Sequence, residues 1–239
     1  MVSKDTITTH EHLEQALHTT FFQEVVHGLM VEGQKRIPSK YFYDRQGSQL
    51  FDAICELEEY YPTRADLDAT TRFVPHIQEV LPGKLRLVEL GSGSSIKTRI
   101  VLDGLNVCHY VPVDISKKHM EVSAARLHEE YPHVHVSPCE GDYTRQLVLP
   151  ECDLPDIAHD ATLIYFPGSS VGNFHPEEAV QFLERMHALL TQDAISNGPG
   201  ALFIGVDLKK DRQTLELAYD DPSGVTAAFN LNVLRQAHG

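Results

Sequence analysis

From Val88 to Arg99 the chain reads VELGSGSSIKTR: an acid, two glycines, three serines and then a lysine. The apolar run LRLVEL (85–90) ends in this turn, and IKTRIVLDGL continues out of it with the spacing of a helix. Small residues at a strand-to-helix turn let backbone N–H groups approach a ligand at the helix N-terminus. Something polar or anionic suits such a turn. Dinucleotides, nucleoside triphosphates and S-adenosylmethionine are the three ligand classes to weigh. Two residues past Gly93 the chain reads Ser95 and Ile96, which departs from G-x-G-x-x-G and equally from G-x-x-x-x-G-K-[ST]. The phosphate-binding readings weaken accordingly.

Three acids narrow the choice. Glu89 precedes Gly91, Asp114 closes the run HYVPVDI (109–115), and Asp142 follows the next apolar stretch in EGDY. A carboxylate at Asp114 can take both hydroxyls of a ribose, a role that dinucleotide-binding proteins share. Asp142 and Tyr143 offer more: an acceptor for an adenine amine and an aromatic face for its ring. Lys97, in the first helical turn, opposes the helix dipole and so is not there for helix stability. It is placed for the carboxylate of a methionine moiety. Acids at successive strand ends share the edge where open α/β sheets bind ligands, and together they favour S-adenosylmethionine. Asn173, in FPGSSVGNFHPEEAV, precedes a further helix. Its amide can accept from an amine while donating to a carboxylate, which suits an amino-acid substrate; the same spacing also suits a plain turn residue.

The elements that must position these residues follow from the patterning. Short apolar runs at 85–90, 109–115, 134–139, 161–168 and 201–208 alternate with amphipathic stretches at about 95–104, 117–130, 176–191 and 211–219. This predicts a doubly wound parallel sheet with crossover helices. Residues 140–160 read as a loop with at most one short helix. The first 80 residues carry helical patterns around 10–31 and 48–58, with a further helix starting near Pro62 and Thr63. They read as a helical cap. The expected organisation is a cap over 1–80, a ligand-binding sheet domain over 81–208, and the helical start of a shortened substrate lobe over 209–239. A doubly wound sheet that binds S-adenosylmethionine for methyl transfer normally adds two further strands after the fifth, closing one edge with an antiparallel hairpin, and the residues after 208 read as helix and turn instead. The sheet is therefore expected with its last two strands missing and one edge uncovered, open to self-association.

Composition bounds the partners. The chain has 239 residues, 42% of them hydrophobic, enough for one α/β domain with an added lobe. Its formal charge of −14, from 20 Lys+Arg against 34 Asp+Glu, repels phosphate backbones and anionic lipid surfaces. Nucleic acid and membrane are not expected partners. The N-terminus lacks the build of a signal peptide and no apolar run is long enough to span a bilayer, so a cytoplasmic protein is expected. Cys55, Cys108, Cys139 and Cys152 are scattered without a C-x-x-C pair, as for reduced thiols. His133 and His135 would share one strand face, yet no third ligand accompanies them, so no metal site is expected.

In order along the chain, SKYFYDRQGSQLFDAICELEEYYPTR, LVELGSGSSIKTR, YVPVDIS, EGDY, FPGSSVGNFHPEEA, GVDLKKD and AYDDPSGVTAAFNLNVL resemble the L-histidine Nα-methyltransferases of ergothioneine biosynthesis, over residues 38–234. The resemblance implies a Rossmann-like class I methyltransferase that moves three methyl groups from S-adenosylmethionine to the α-amino group of histidine, giving hercynine. It implies that Gly91, Lys97, Asp114, Asp142 and Tyr143 hold S-adenosylmethionine, with Tyr143 where relatives usually have phenylalanine. It further implies that Tyr61, Asn173 and Tyr219 hold histidine and that Tyr43 sits near the methyl donor. Tyr43 and Asn173 would be the groups closest to the reacting atoms. Relatives continue past the NVL of residues 232–234 with a segment that completes the sheet and contacts the imidazole. Two alternatives stay open: methylation of another amino acid, of the tryptophan type, and a shortened cofactor-binding protein with little or no catalysis.

Overall fold

A computed structural model of the chain describes residues 20–93, 96–150, 158–192 and 198–236. Cys152, both serines after Gly93, residues 10–19 of the first helical pattern and residues 151–157 of the 140–160 loop lie outside the described residues. Three helices precede the sheet: α1, described over 20–30, α2 (Arg45–Glu56) and α3 (Tyr61–Val80). Then follow β1 (Leu85–Leu90), α4 (Ile96–Gly104), β2 (Val107–Asp114), α5 (Lys117–Glu130), β3 (His135–Val136) and β4 (Cys139–Glu140). The chain continues through β5 (Ala161–Phe166), α6 (Pro176–Gln192), β6 (Gly200–Ile204), α7 (Arg212–Tyr219) and α8 (Val225–Gln236).

All pairings are parallel, in the order β3-β2-β1-β5-β6, with β4 also pairing with β2. The doubly wound expectation holds. β1 sits at the centre and is buried along its whole length, the charged Arg86 and Glu89 included. Its side chains nonetheless divide by face. Leu85 and Leu87 join Val74, Val101, Leu102 and Leu127 of α3, α4 and α5 on one side. Val88 and Leu90 join Phe182 and Met186 of α6 on the other.

Two expected strands are corrected. The run 134–139 is not one strand: β3 and β4 lie in line along β2, separated by Ser137 and Pro138. Ser137 still donates its N–H to Tyr110 O at 2.9 Å, but Pro138 has no N–H to give, and the ladder breaks there. The run 201–208 leaves the sheet after Ile204; Val206 and Leu208 are exposed. Among the described residues no strand follows β6, and the segment after it forms α7 and α8.

The N-terminal and C-terminal helices meet. Asn232 of α8 donates to Asp44 Oδ1 at 2.7 Å, and Gln236 donates to Tyr41 O at 3.1 Å. Phe229 of α8 packs against Phe42, Tyr43 and Phe51, with ring centroids 5.4–6.0 Å apart. Asp44 caps α2 by accepting the Gly47 N–H at 2.7 Å, so one carboxylate both starts a helix and ties down another. This contact holds Tyr43 between Phe51 of α2 and Phe229 of α8.

Candidate active site

The glycine turn after β1 has the backbone its composition predicts. Gly91 adopts φ +75° and Gly93 φ +43°, values that a side-chain-bearing residue takes at a cost. A Cβ on Gly91 would stand 3.8 Å from the Tyr143 ring, so the turn lies close against that ring. Gly91 N–H donates to Val113 O at 2.8 Å, which joins the turn to the end of β2. There Asp114 Oδ1 accepts the Ser116 N–H at 2.8 Å, fixing the half-buried carboxylate at the strand end.

The three acids do not share one environment. Asp114 and Asp142 are half-buried, whereas Glu89 is 2% exposed. Glu89 faces the core beneath the turn, accepting from Thr98 at 2.6 Å and from Tyr110 at 2.5 Å, and so joins β1, α4 and β2. Burial pushes its carboxyl up to about 7, although both hydrogen bonds favour the charged form. Alternation along β1 places residue 89 on the same face as Leu85 and Leu87, a signal present in the sequence.

Asp142 is enclosed by protein groups. Its Oδ1 accepts the Thr144 N–H at 2.9 Å and the Thr144 hydroxyl at 2.5 Å, and Oδ2 lies 3.2 Å from Lys40 Nζ. Burial opposes ionisation here, but Thr144 and Lys40 hold the carboxyl below its usual value. Lys40 also pairs with Glu24 of α1 at 2.9 Å. Tyr143 lies edge-on to Phe166 at 5.2 Å. Burial above all, with Tyr143, Cys55, Asp114 and Tyr219 nearby, pushes the Tyr43 hydroxyl up.

Lys97 lies 2.6 Å from Asp66 of α3, an ion pair that accounts for a cation tolerated in the first turn of α4. Asp66 Oδ2 also accepts the Gly168 N–H at 3.0 Å, which draws the turn after β5 toward Lys97. In that turn Ser169 is left-handed, φ 58°, the single non-glycine residue with positive φ among the described residues. Its Oγ accepts the Asp207 N–H at 2.8 Å. Asn173 ends the short 3₁₀ turn Ser170–Asn173; it is exposed, and its carbonyl accepts from Arg36 at 2.6 Å.

Tyr61, the first residue of α3, donates its hydroxyl to Asp207, and Lys210 Nζ sits 4.5 Å over its ring. Tyr219, at the end of α7, lies edge-on to Tyr60 at 5.8 Å. Tyr60 in turn faces Phe51 at 6.3 Å. Gly91, Asp114, Asp142 and Tyr143 follow β1, β2 and β4 at the carboxyl edge of the parallel sheet, and Asp207, which holds Tyr61 and has Tyr219 nearby, follows β6 at the same edge. The turn carrying Asn173 connects them through Gly168 and Ser169. Lys40, Tyr60, Asp66, Asp207 and Lys210 escaped the sequence reading. Tyr60 and Tyr61 are adjacent in YYPTR, and nothing local says which way each points.

Elsewhere, His133 packs on Tyr131 and His135 on His109, in two separate ring contacts. Cys55, Cys108 and Cys139 are free thiols. No helix among the described residues is long and apolar enough to cross a membrane.

A parallel sheet in this order, with a glycine turn and acids at its carboxyl edge, is the Rossmann-like arrangement of class I S-adenosylmethionine-dependent methyltransferases. Residues 21–239 match the family model described as histidine-specific methyltransferase, SAM-dependent, and the chain belongs to that family. It is similar to the histidine N-alpha-methyltransferase of Mycobacterium tuberculosis, 37% identical over 226 residues, covering 92% of this chain and 66% of that protein. The enzyme of the same name from Mycolicibacterium smegmatis is 38% identical over 205 residues, 84% of this chain and 60% of that one. Ergothioneine biosynthesis protein 1 of Neurospora crassa is 30% identical over 214 residues, 87% of this chain and 23% of that one. The chain thus spans less than two thirds of the length of these relatives.

Proposed function

We propose that this chain methylates the α-amino group of L-histidine, three times in succession to hercynine, using S-adenosylmethionine, as a step of ergothioneine biosynthesis. Family membership carries the reading. The site supports it: a glycine turn with positive φ lies beside Tyr143 and the strand-end carboxylate Asp114, and Tyr43, which has Tyr143 and Asp114 nearby, belongs to an aromatic cluster with Phe51 and Phe229. In this reading Gly91, Asp114, Asp142 and Tyr143 hold the nucleoside and Lys97 the methionine carboxylate. Tyr61, Asn173 and Tyr219 hold the amino acid, with Tyr43 and Asn173 nearest the reacting atoms. Residues 1–80 act as the cap and 209–239 begin the substrate lobe on either side of the sheet domain. Free thiols fit a cytoplasmic setting.

When bound, the sulfonium supplies a methyl group already activated for displacement. The protein's contribution is to align an amine lone pair with that carbon, and positioning of this kind supplies most of the rate. The Asn173 amide would accept from the amine and keep its lone pair directed. The Tyr43, Tyr60 and Tyr219 rings offer electron-rich faces to a cationic donor and a quaternising product.

Mass spectrometry of histidine incubated with S-adenosylmethionine and the folded chain should detect added methyl groups. No mass shift on histidine would overturn the reading, and a shift on tryptophan instead would move the substrate. Asp114→Ala should weaken S-adenosylmethionine binding about tenfold by calorimetry, the loss of a charge-assisted hydrogen bond to a ribose hydroxyl. Unchanged affinity would remove Asp114 from the ribose. Asn173→Ala should raise the histidine KM at least about tenfold while the KM for S-adenosylmethionine stays within about twofold. Equal effects on both would place Asn173 elsewhere.

A further inference from the structure

Asp207 follows β6 in the segment that leaves the sheet, and it is the point where two parts of the substrate half meet. Its carboxylate accepts the Tyr61 hydroxyl from α3, and it also takes Lys210 and the Leu208 N–H, the latter at 2.9 Å. Its own N–H goes to Ser169, at 2.8 Å, in the left-handed residue from which the Asn173 turn departs. One residue thus binds the side chain of Tyr61 and the backbone frame of Asn173, contributed by segments over a hundred residues apart in sequence. Lys210, between Asp207 and the Tyr61 ring, screens the carboxylate and holds the ring from above.

We infer that Asp207 is the positioning residue of the amino-acid subsite: by taking the Tyr61 proton in a hydrogen bond, it leaves the phenol oxygen to act toward substrate as an acceptor. The inference rests on the methyltransferase reading above. A phenol whose single donor is committed has only lone pairs left to offer, and those suit an amine or ammonium N–H. Despite burial, Lys210 and Tyr61 hold the Asp207 carboxyl below its usual value, so it is ionised at neutral pH. Burial and Asp207 together push the Tyr61 hydroxyl up, which keeps the proton on the phenol.

The test compares Asp207→Ala, Asp207→Asn, Tyr61→Phe and the Ala/Phe double variant. Asp207→Ala should raise the histidine KM about tenfold with S-adenosylmethionine affinity unchanged, and Asp207→Asn, whose amide oxygen still accepts the Tyr61 proton, should recover part of it. The double variant should be no worse than Asp207→Ala alone, because the two residues act as one unit. A histidine KM within about twofold of wild type in Asp207→Ala, or effects that multiply in the double variant, would overturn the inference. A second readout needs no catalysis: in an alkaline absorbance titration, the tyrosine lost in Tyr61→Phe should ionise at lower pH in Asp207→Asn than in wild type. An unshifted Tyr61 titration would dissolve the pair even if the wild-type chain proved inactive on histidine, an outcome that would instead refute the substrate assignment.

Discussion

Gly47→Ala is expected to lower the unfolding free energy by about 3 kcal/mol, seen as a reduced urea midpoint at constant slope. Alanine is ordinarily the better helix residue by about 1 kcal/mol, and Gly47 lies within α2. Here a Cβ would stand 1.7 Å from the Phe42 carbonyl oxygen and 2.8 Å from its carbon. Both are backbone atoms, so no rotamer change relieves the clash, and the chain from Phe42 to Asp44 must shift. That chain carries Tyr43, wedged between Phe51 and Phe229, and the Asp44 cap. The same variant should therefore weaken methyl transfer beyond what its stability explains. An unchanged urea midpoint would show that α2 and the Phe42 segment part without cost.

Glu89 gives the second large effect, on pH dependence. Its carboxyl is pushed up from the ordinary 4.5 to about 7 by complete burial. Below pH 4.5 folded and unfolded chains both keep the proton, and the stabilisation is fully present. Between about 4.5 and 7 the unfolded chain gives the proton up while the folded one retains it, so stability falls as pH rises. Above pH 7 both are ionised and the loss is complete, about 3 kcal/mol in all. Glu89→Gln cannot titrate, and its amide oxygen can still accept from Thr98 and Tyr110. The difference in unfolding free energy between wild type and Glu89→Gln should fall across this window and level off above it. A difference constant from pH 4.5 to 8 would mean that Glu89 ionises as it would in water.

The role of Glu89 shows how far sequence reading reached. An acid just before a glycine turn looks like a ligand contact, and the turn itself was legible because glycine, serine and lysine at a strand end have few other uses. Strand periodicity puts Glu89 on the core face, whereas the motif around it suggests a residue facing the ligand. Lys97 is a similar case. Its misfit with the helix dipole marked it as having a charged partner, and the partner within the protein is Asp66, on a helix whose facing is not written in the motif. The break at Pro138 follows from proline's missing donor, although the apolar run around it looks like one continuous strand.

The sequence by itself determined the order of strands and helices, the glycine turn, and the acids and aromatics at the strand ends, since each depends on periodicity or on residue types within a few positions. Only the tertiary structure decided which of two adjacent tyrosines meets Asp207, that α8 closes against α2 over Tyr43, and that Lys40 reaches Asp142. Those are contacts between segments separated by up to 188 residues. They follow from which faces remain apolar once the sheet has formed, and from which charges must find a partner beneath them. No local pattern carries that information, because many pairings satisfy the pattern and packing selects one.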